Sequence, residues 1–250
     1  MRSVVLLVAL AACRPGPRMT MPASRGVAIG TITLQWAQVH VVLGEHPMII
    51  DSGASGDFGE ILSGLKKLGV NPADVKCAVI THGHGDHAGT ARAMQVKGIT
   101  IIAGAGDLDR TSHGTHGPHH PTSFFAAHIL KHFLPTHYKP FVADIQVTDR
   151  YDLRPLCGVD GEALWVGGHT PGSLVVLLAG GKVAVVGDLF RGGALAGYVH
   201  THSPKVHFYQ DDKRLAHQRI RELLDRGVEW FVMGHGGPST RKQVAAKFGP

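Results

Sequence analysis

Three imidazoles and a carboxylate fall within six consecutive positions of the run Thr81-His82-Gly83-His84-Gly85-Asp86-His87. Neutral imidazole and carboxylate are the ligands that zinc and similar divalent ions take. The run follows the apolar stretch Cys77-Ala78-Val79-Ile80, which reads as a short buried strand. The end of such a strand is where open α/β sheets place their sites. Four more motifs repeat the arrangement. Asp51-Ser52-Gly53 follows Met48-Ile49-Ile50, and Gly167-Gly168-His169-Thr170-Pro171-Gly172-Ser173 sets a histidine on a glycine-rich turn. Gly187-Asp188 follows the apolar residues 183–186, and Gly234-His235-Gly236-Gly237 follows residues 230–233. Singly, His169, Asp188 or His235 reads as a loop residue. Together they point to convergence at one sheet edge.

The elements that must position these residues alternate. Residues 27–34, 39–43 and 48–50 are strand-like, and 58–68 carry Phe58, Ile61, Leu62, Leu65 and Leu68 at helical spacing, closed by Gly69. A helix over 88–96 and a strand over 99–103 follow the histidine run, giving a βαβ pattern. In the second half, strands are predicted at 163–166, 174–178, 183–186 and 229–233, with a helix over 211–226. Between the halves lies a tract over residues 104–138 with His113, His116, His119, His120, His128, His132 and His137. Its Phe124, Phe125, Ile129, Leu130 and Phe133 suggest an amphipathic helix. Insertions of this length are commonly lids or binding loops.

The chain has 250 residues, 44% hydrophobic with 33 glycines and a formal charge of +6, which suits a globular α/β protein with many turns. No Lys/Arg stripe is present, so no nucleic-acid partner is expected. Met1-Arg2, an apolar run to Ala12 and then Cys13 describe an export signal, too short to span a bilayer. Leu10-Ala11-Ala12-Cys13 resembles a bacterial lipobox, with Cys13 the lipidated residue and the lipid the sole membrane contact. The expected organisation is a signal over 1–13, a Pro- and Arg-rich tether over 14–25 and one domain over 26–250, in the cell envelope. A true start at Met19 or Met21 would instead leave the protein in the cytoplasm. Of the remaining cysteines, Cys77 reads as a buried apolar residue, and whether it pairs with Cys157 is open.

The HxHxDH, GHTPGS and GD motifs, in this order, resemble those of the metallo-β-lactamase fold superfamily, and within it the two-metal hydrolases similar to glyoxalase II and the lactonases. The resemblance runs from about Gly26 to the end of the sequence. It implies an α/β fold, a four-layer αβ/βα sandwich of two mixed sheets flanked by helices, with metals at the edge between the sheets. It implies two divalent ions, zinc being expected: His82, His84 and His169 on the first, Asp86, His87 and His235 on the second, and Asp188 bridging both. Asp51 would support the site by hydrogen bonds. Two such ions lower the pKa of a shared water, so that hydroxide attacks a carbonyl near neutral pH. Asp86 and Asp188 are then the expected catalytic carboxylates, and Asp86 can also cap the helix before Ala88.

Departures from relatives narrow the substrate. About fifteen residues follow His235, too few for the helical domain of glyoxalase II enzymes. Metallo-β-lactamases generally lack a bridging carboxylate where Asp188 stands, and lactonases carry a Tyr where Arg191 stands. The leading expectation is a zinc hydrolase of a small ester, lactone, thioester or amide. Alternatives are a mononuclear iron enzyme resembling persulfide dioxygenases, or an envelope metal-binding protein using the His-rich tract. Phe124, Phe125, His128, Phe133, Arg191 and Tyr198 are candidate walls of the substrate pocket.

Overall fold

Strands rich in Val, Ile and Met, buried on both faces, form the centre of the molecule. The computed structural model describes residues 15–118, 120–128, 135–194 and 199–249. The first sheet follows chain order: β1 (Arg18–Met21), β2 (Ala28–Thr33), β3 (Gln38–Leu43), β4 (Met48–Ile50), β5 (Cys77–Ile80), β6 (Thr100–Gly104) and β7 (Ile145–Val147). Neighbours are antiparallel up to β4 and parallel from β4 to β7. The parallel strands need crossovers, which α1 (Phe58–Lys67), α2 (Gly85–Ala88), α3 (Ala91–Val96), α4 (Leu108–His113) and α5 (Phe124–His128) supply. Then come β8 (Arg150–Asp152), α6 (Arg154–Cys157), β9 (Gly161–Trp165), β10 (Leu174–Leu178) and β11 (Val183–Gly187). A ribbon of β12 (Arg191–Ala194) and β13 (Val199–Lys205) precedes α7 (Lys213–Asp225), β14 (Trp230–Met233), β15 (Ser239–Thr240) and α8 (Arg241–Phe248). The second sheet has the order β15-β14-β11-β10-β9-β8, with β11 and β14 parallel.

Burial sorts into three slabs. Ile29, Met48, Ile50, Val79 and Ile102 of the first sheet pack against Val176, Val185 and Val232 of the second. Ile61, Leu65 and Met94 cover the outer face of the first sheet, and Ala216, Ile220, Leu223 and Phe248 that of the second. The layers are therefore helix, sheet, sheet, helix, as the resemblance implies. Each fully buried Leu, Ile or Phe in these slabs contributes roughly 1.5–3 kcal/mol relative to exposure.

Two local expectations need correction, and one open question is answered. Arg18–Met21, assigned by composition to a tether, is instead an edge strand: Met21 is buried, and Thr20 and Arg18 hydrogen-bond to Thr31 and Thr33 of β2. Four residues are too few for alternation to show against a Pro- and Arg-rich background. The helix expected over 88–96 breaks between α2 and α3 because the loop after β4 docks there. The Gly89 amide donates to the Gly53 carbonyl, and a Cβ on Gly89 would lie 2.4 Å from the Ala54 carbonyl carbon. Finally, Cys77 and Cys157 are joined, with Cα atoms 5.7 Å apart. This disulfide ties β5 to the end of α6. Cys13, Phe133 and Tyr198 lie outside the described residues.

Candidate metal centre

The C-terminal ends of β4, β5 and β6 lie side by side, and those of β11 and β14 face them from the second sheet. Because parallel strands end at the same edge, Asp51, the His82–His87 run, Asp188 and His235 are delivered to one place. His169 arrives from the turn after β9. All seven candidate ligands are buried, with none above 9% exposure.

Two tight groups result. His169 Nε2 lies 3.1 Å from His82 Nε2 and 3.0 Å from His84 Nδ1. His235 Nε2 lies 3.4 Å from His87 Nε2 and 3.6 Å from Asp86 Oδ2. Asp188 stands between them, its Oδ2 at 3.8 Å from both His82 and His169 Nε2, 3.3 Å from His87 and 3.2 Å from His235. The groups His82–His84–His169 and Asp86–His87–His235 each offer donor atoms close enough to hold one ion. Glycine is required where Asp188 nestles against β14: a Cβ on Gly234 would meet Asp188 Oδ1 at 2.4 Å and His87 Cε1 at 2.5 Å.

Asp51 orients the loop as expected. It sits in left-handed backbone at φ 68° and accepts from the Thr81 amide at 2.7 Å, the Thr81 hydroxyl at 2.8 Å and His87 Nδ1 at 2.8 Å. The last bond keeps the His87 proton on Nδ1 and turns Nε2 towards Asp188, the carboxylate–histidine pairing common behind metal ligands. A strained conformation held by this many bonds marks a functional position.

Three participants escaped the sequence reading. Asp107 is buried after β6 and accepts from the Gly83 amide at 2.8 Å, the Thr170 hydroxyl at 2.6 Å and the Gly172 amide at 3.0 Å. One carboxylate thus ties the His82–His84 loop to the His169 loop, and Arg110 pairs with it at 3.1 Å. His116 stacks face to face on His84, centroids 3.9 Å apart. His207, between β13 and α7, is buried beside Asp188. No spacing rule flags Asp107 or His207, and His116 hides among its neighbours in the His-rich tract.

The expected pocket walls fare unevenly. Phe124 is 78% exposed and Phe125 48%, and His128 is exposed and stacked on Phe124, so these three do not enclose the cluster. Arg191 is half-buried, its guanidinium carbon 3.9 Å from the Phe208 ring centroid, and burial lowers its pKa to about 10.

The electrostatics fit cations. Burial, reinforced by neighbouring imidazoles, holds His82, His84 and His169 well below the ordinary histidine range, so they are neutral and able to ligate. Burial works against the charged forms of His87, His235 and Asp188 too. It is outweighed by Asp188 with Asp51 or Asp86 for the two histidines, which are raised, and by the surrounding imidazoles for Asp188, which is pushed well down. Asp188 Oδ1 is buried with no hydrogen-bond partner among the described residues, while several ring nitrogens crowd Oδ2. A buried carboxylate oxygen left without a partner beside imidazoles that burial keeps neutral is what a divalent-cation site presents.

Comparison with known proteins gives the family. The metallo-beta-lactamase superfamily profile matches residues 37–235, and the chain belongs to that family. The probable metallo-hydrolase YflN of Bacillus subtilis is 25% identical over 84% of each chain. The hydroxyacylglutathione hydrolase GloC of Haemophilus influenzae is 29% identical over 58% of this chain and 62% of its own. A metallo-β-lactamase of Cronobacter sakazakii shares the fold with a TM-score of 0.61 at 23% identity, covering 92% of this chain and 81% of that one. The protein is a hydrolase of this superfamily, with His and Asp groups able to bind metal.

Proposed function

We propose that this enzyme is a two-metal hydrolase, zinc-dependent, that cleaves a small ester, lactone, thioester or amide. The observation that carries the reading is the placement of Asp188 between two complete donor groups. His82, His84 and His169 would hold one ion, Asp86, His87 and His235 the other, and Asp188 would bridge them. Bound there, two divalent ions supply an activated water and polarise a carbonyl. The protein's part is positional. Asp51 holds the proton of His87 at Nδ1, Asp107 fixes the spacing of the two loops, and Asp86 and Asp188 are the carboxylates next to the reacting position.

A mononuclear iron enzyme of the persulfide dioxygenase type has no need of Asp86, His87 and His235 as a second donor group, so their convergence speaks against that alternative. An envelope metal-binding role is disfavoured by the His-rich tract: His113, His120, His128 and His137 are exposed, and none belongs to a metal-holding group among the described residues. An envelope location itself is consistent with the apolar start and the Cys77–Cys157 disulfide, since disulfides persist in oxidising compartments. Replacing Cys13 by Ser should then release the protein from the membrane fraction.

The deciding experiment is metal analysis of purified protein followed by a hydrolysis panel of lactones, thioesters including hydroxyacylglutathione, amides and β-lactams. Two equivalents of zinc and turnover of one panel class are expected. Retention of well under one equivalent would sink the reading.

A further inference from the structure

One more imidazole faces Asp188, and it is the nearest of all. His207 Nε2 lies 3.1 Å from Asp188 Oδ2, closer than His235, His87, His82 or His169. Its side chain is 8% exposed, and its ring meets that of His169 edge to face with centroids 4.7 Å apart. The other ring nitrogen explains the orientation. His207 Nδ1 lies 3.1 Å from the Tyr209 carbonyl, and the same carbonyl takes His169 Nδ1 at 3.0 Å.

A carbonyl oxygen can only accept, so in this bond each imidazole carries a proton on Nδ1 and turns Nε2 towards Asp188. In His169 this is the arrangement expected of a metal ligand, with the far nitrogen fixed by an outer hydrogen bond. His207 duplicates it on the same anchor. Nε2 of His207 and Oδ2 of Asp188, 3.1 Å apart in a buried site, are both atoms that a divalent cation takes as ligands. His169, Asp188 and His207 also offer donor atoms all within 4.8 Å of one another.

We propose that His207 is an eighth protein ligand of the centre, completing with His169 and Asp188 the shell of one divalent ion. The inference rests on the two-metal reading above and adds a donor that the superfamily motifs in this sequence do not supply. It also adds to the donor count. Were that ion the one assigned above to His82, His84, His169 and Asp188, His207 would raise its protein donors from four to five. The competing arrangement places the proton on Nε2, with Nδ1 accepting from the Tyr209 amide at 3.3 Å. His207 would then donate to Asp188 and touch no metal.

Cobalt(II)-loaded protein separates the two. In the wild type, two equivalents of cobalt and a ligand-field spectrum containing a five- or six-coordinate ion are expected. His207→Ala should change that spectrum towards lower coordination. It should also weaken retention of one ion against a chelator by about 10–100-fold, the loss seen when a ligand's support is removed, while the second ion is kept. His207→Gln, which retains a hydrogen-bond donor but no imidazole, should behave like His207→Ala. Spectra and chelator curves unchanged in His207→Ala, or restored in His207→Gln, overturn the assignment while leaving the two-metal centre standing. A wild-type protein that takes up no cobalt overturns both.

Discussion

Two stretches of this chain are crowded with histidine, and they touch where His116 stacks on His84, yet they differ in burial. The run His82–His87 is buried to the last side chain, each imidazole aimed at a neighbour from the second sheet. The tract over 104–138 leaves His113, His120, His128 and His137 in solvent and draws in His116 alone among the described residues. Residue type does not separate them. Anchoring does: the first run leaves a central parallel strand and is clamped by Asp51 and Asp107, whereas the exposed imidazoles bond to nearby polar groups of their own segment, such as His113 to the Asp109 carbonyl and His128 to that of Phe124. Density of ligand-type residues makes a site only where backbone and carboxylates fix each ring before an ion arrives.

If anchoring is what matters, Asp188→Ala should be the most damaging change. Losing the shared carboxylate is expected to release at least one ion and to lower kcat/KM by about a thousandfold or more, the scale of removing a group that acts on the reacting centre. Wild-type turnover in that variant would falsify the bridging role. Asp51→Asn comes next. It keeps the size of the side chain but weakens its hold on His87, so metal retention against a chelator should fall about 10–100-fold, with near-normal circular dichroism.

His40 sharpens the comparison from a third side, being buried and fully bonded yet remote from both stretches in role. Its ring lies between the Thr31 hydroxyl and the Met233 carbonyl, each at 2.9 Å, and burial pushes its pKa down to about 4. The unfolded chain binds that proton near pH 6.5, so the stabilisation is complete above this pH and is lost as pH falls from 6.5 towards 4. The loss is on the order of 3 kcal/mol. Urea midpoints of His40→Asn should therefore depend less on pH over this window than those of the wild type; equal slopes would remove the assignment. The smallest effect belongs to the exposed tract. His113→Ala combined with His128→Ala should leave metal content unchanged and shift stability by no more than about 0.5 kcal/mol.

Much of this was legible before the fold was known. The strand at 48–50 and the helix beginning at Phe58 follow directly from apolar periodicity, and the motif ligands stand one step past a strand end, a local signal. What sequence did not show is what tertiary contact alone creates. His207 stands just past β13, a largely exposed strand with no glycine turn after it, so nothing nearby distinguishes it from the surface histidines His200 and His202 on that strand. Asp107 reads as one more polar residue at the start of the insertion, and its role appears only when Gly83 and Gly172, 89 positions apart, meet on its two oxygens. The Cys77–Cys157 pair spans 80 residues of sequence, a separation over which spacing carries no information.

That disulfide and the candidate centre occupy the two ends of one strand. Cys77 opens β5 and His82 lies just past its close, and each end meets the other half of the molecule: covalently through Cys157, and, in the proposed two-metal centre, through ions that His169, Asp188 and His235 would share with the run. The halves would thus be fastened at both margins of their common interior, one by a covalent bond and one by metal. Demetallation would unlatch a single margin and leave the sheets registered by the other, so that the ligands can find one another again when metal returns.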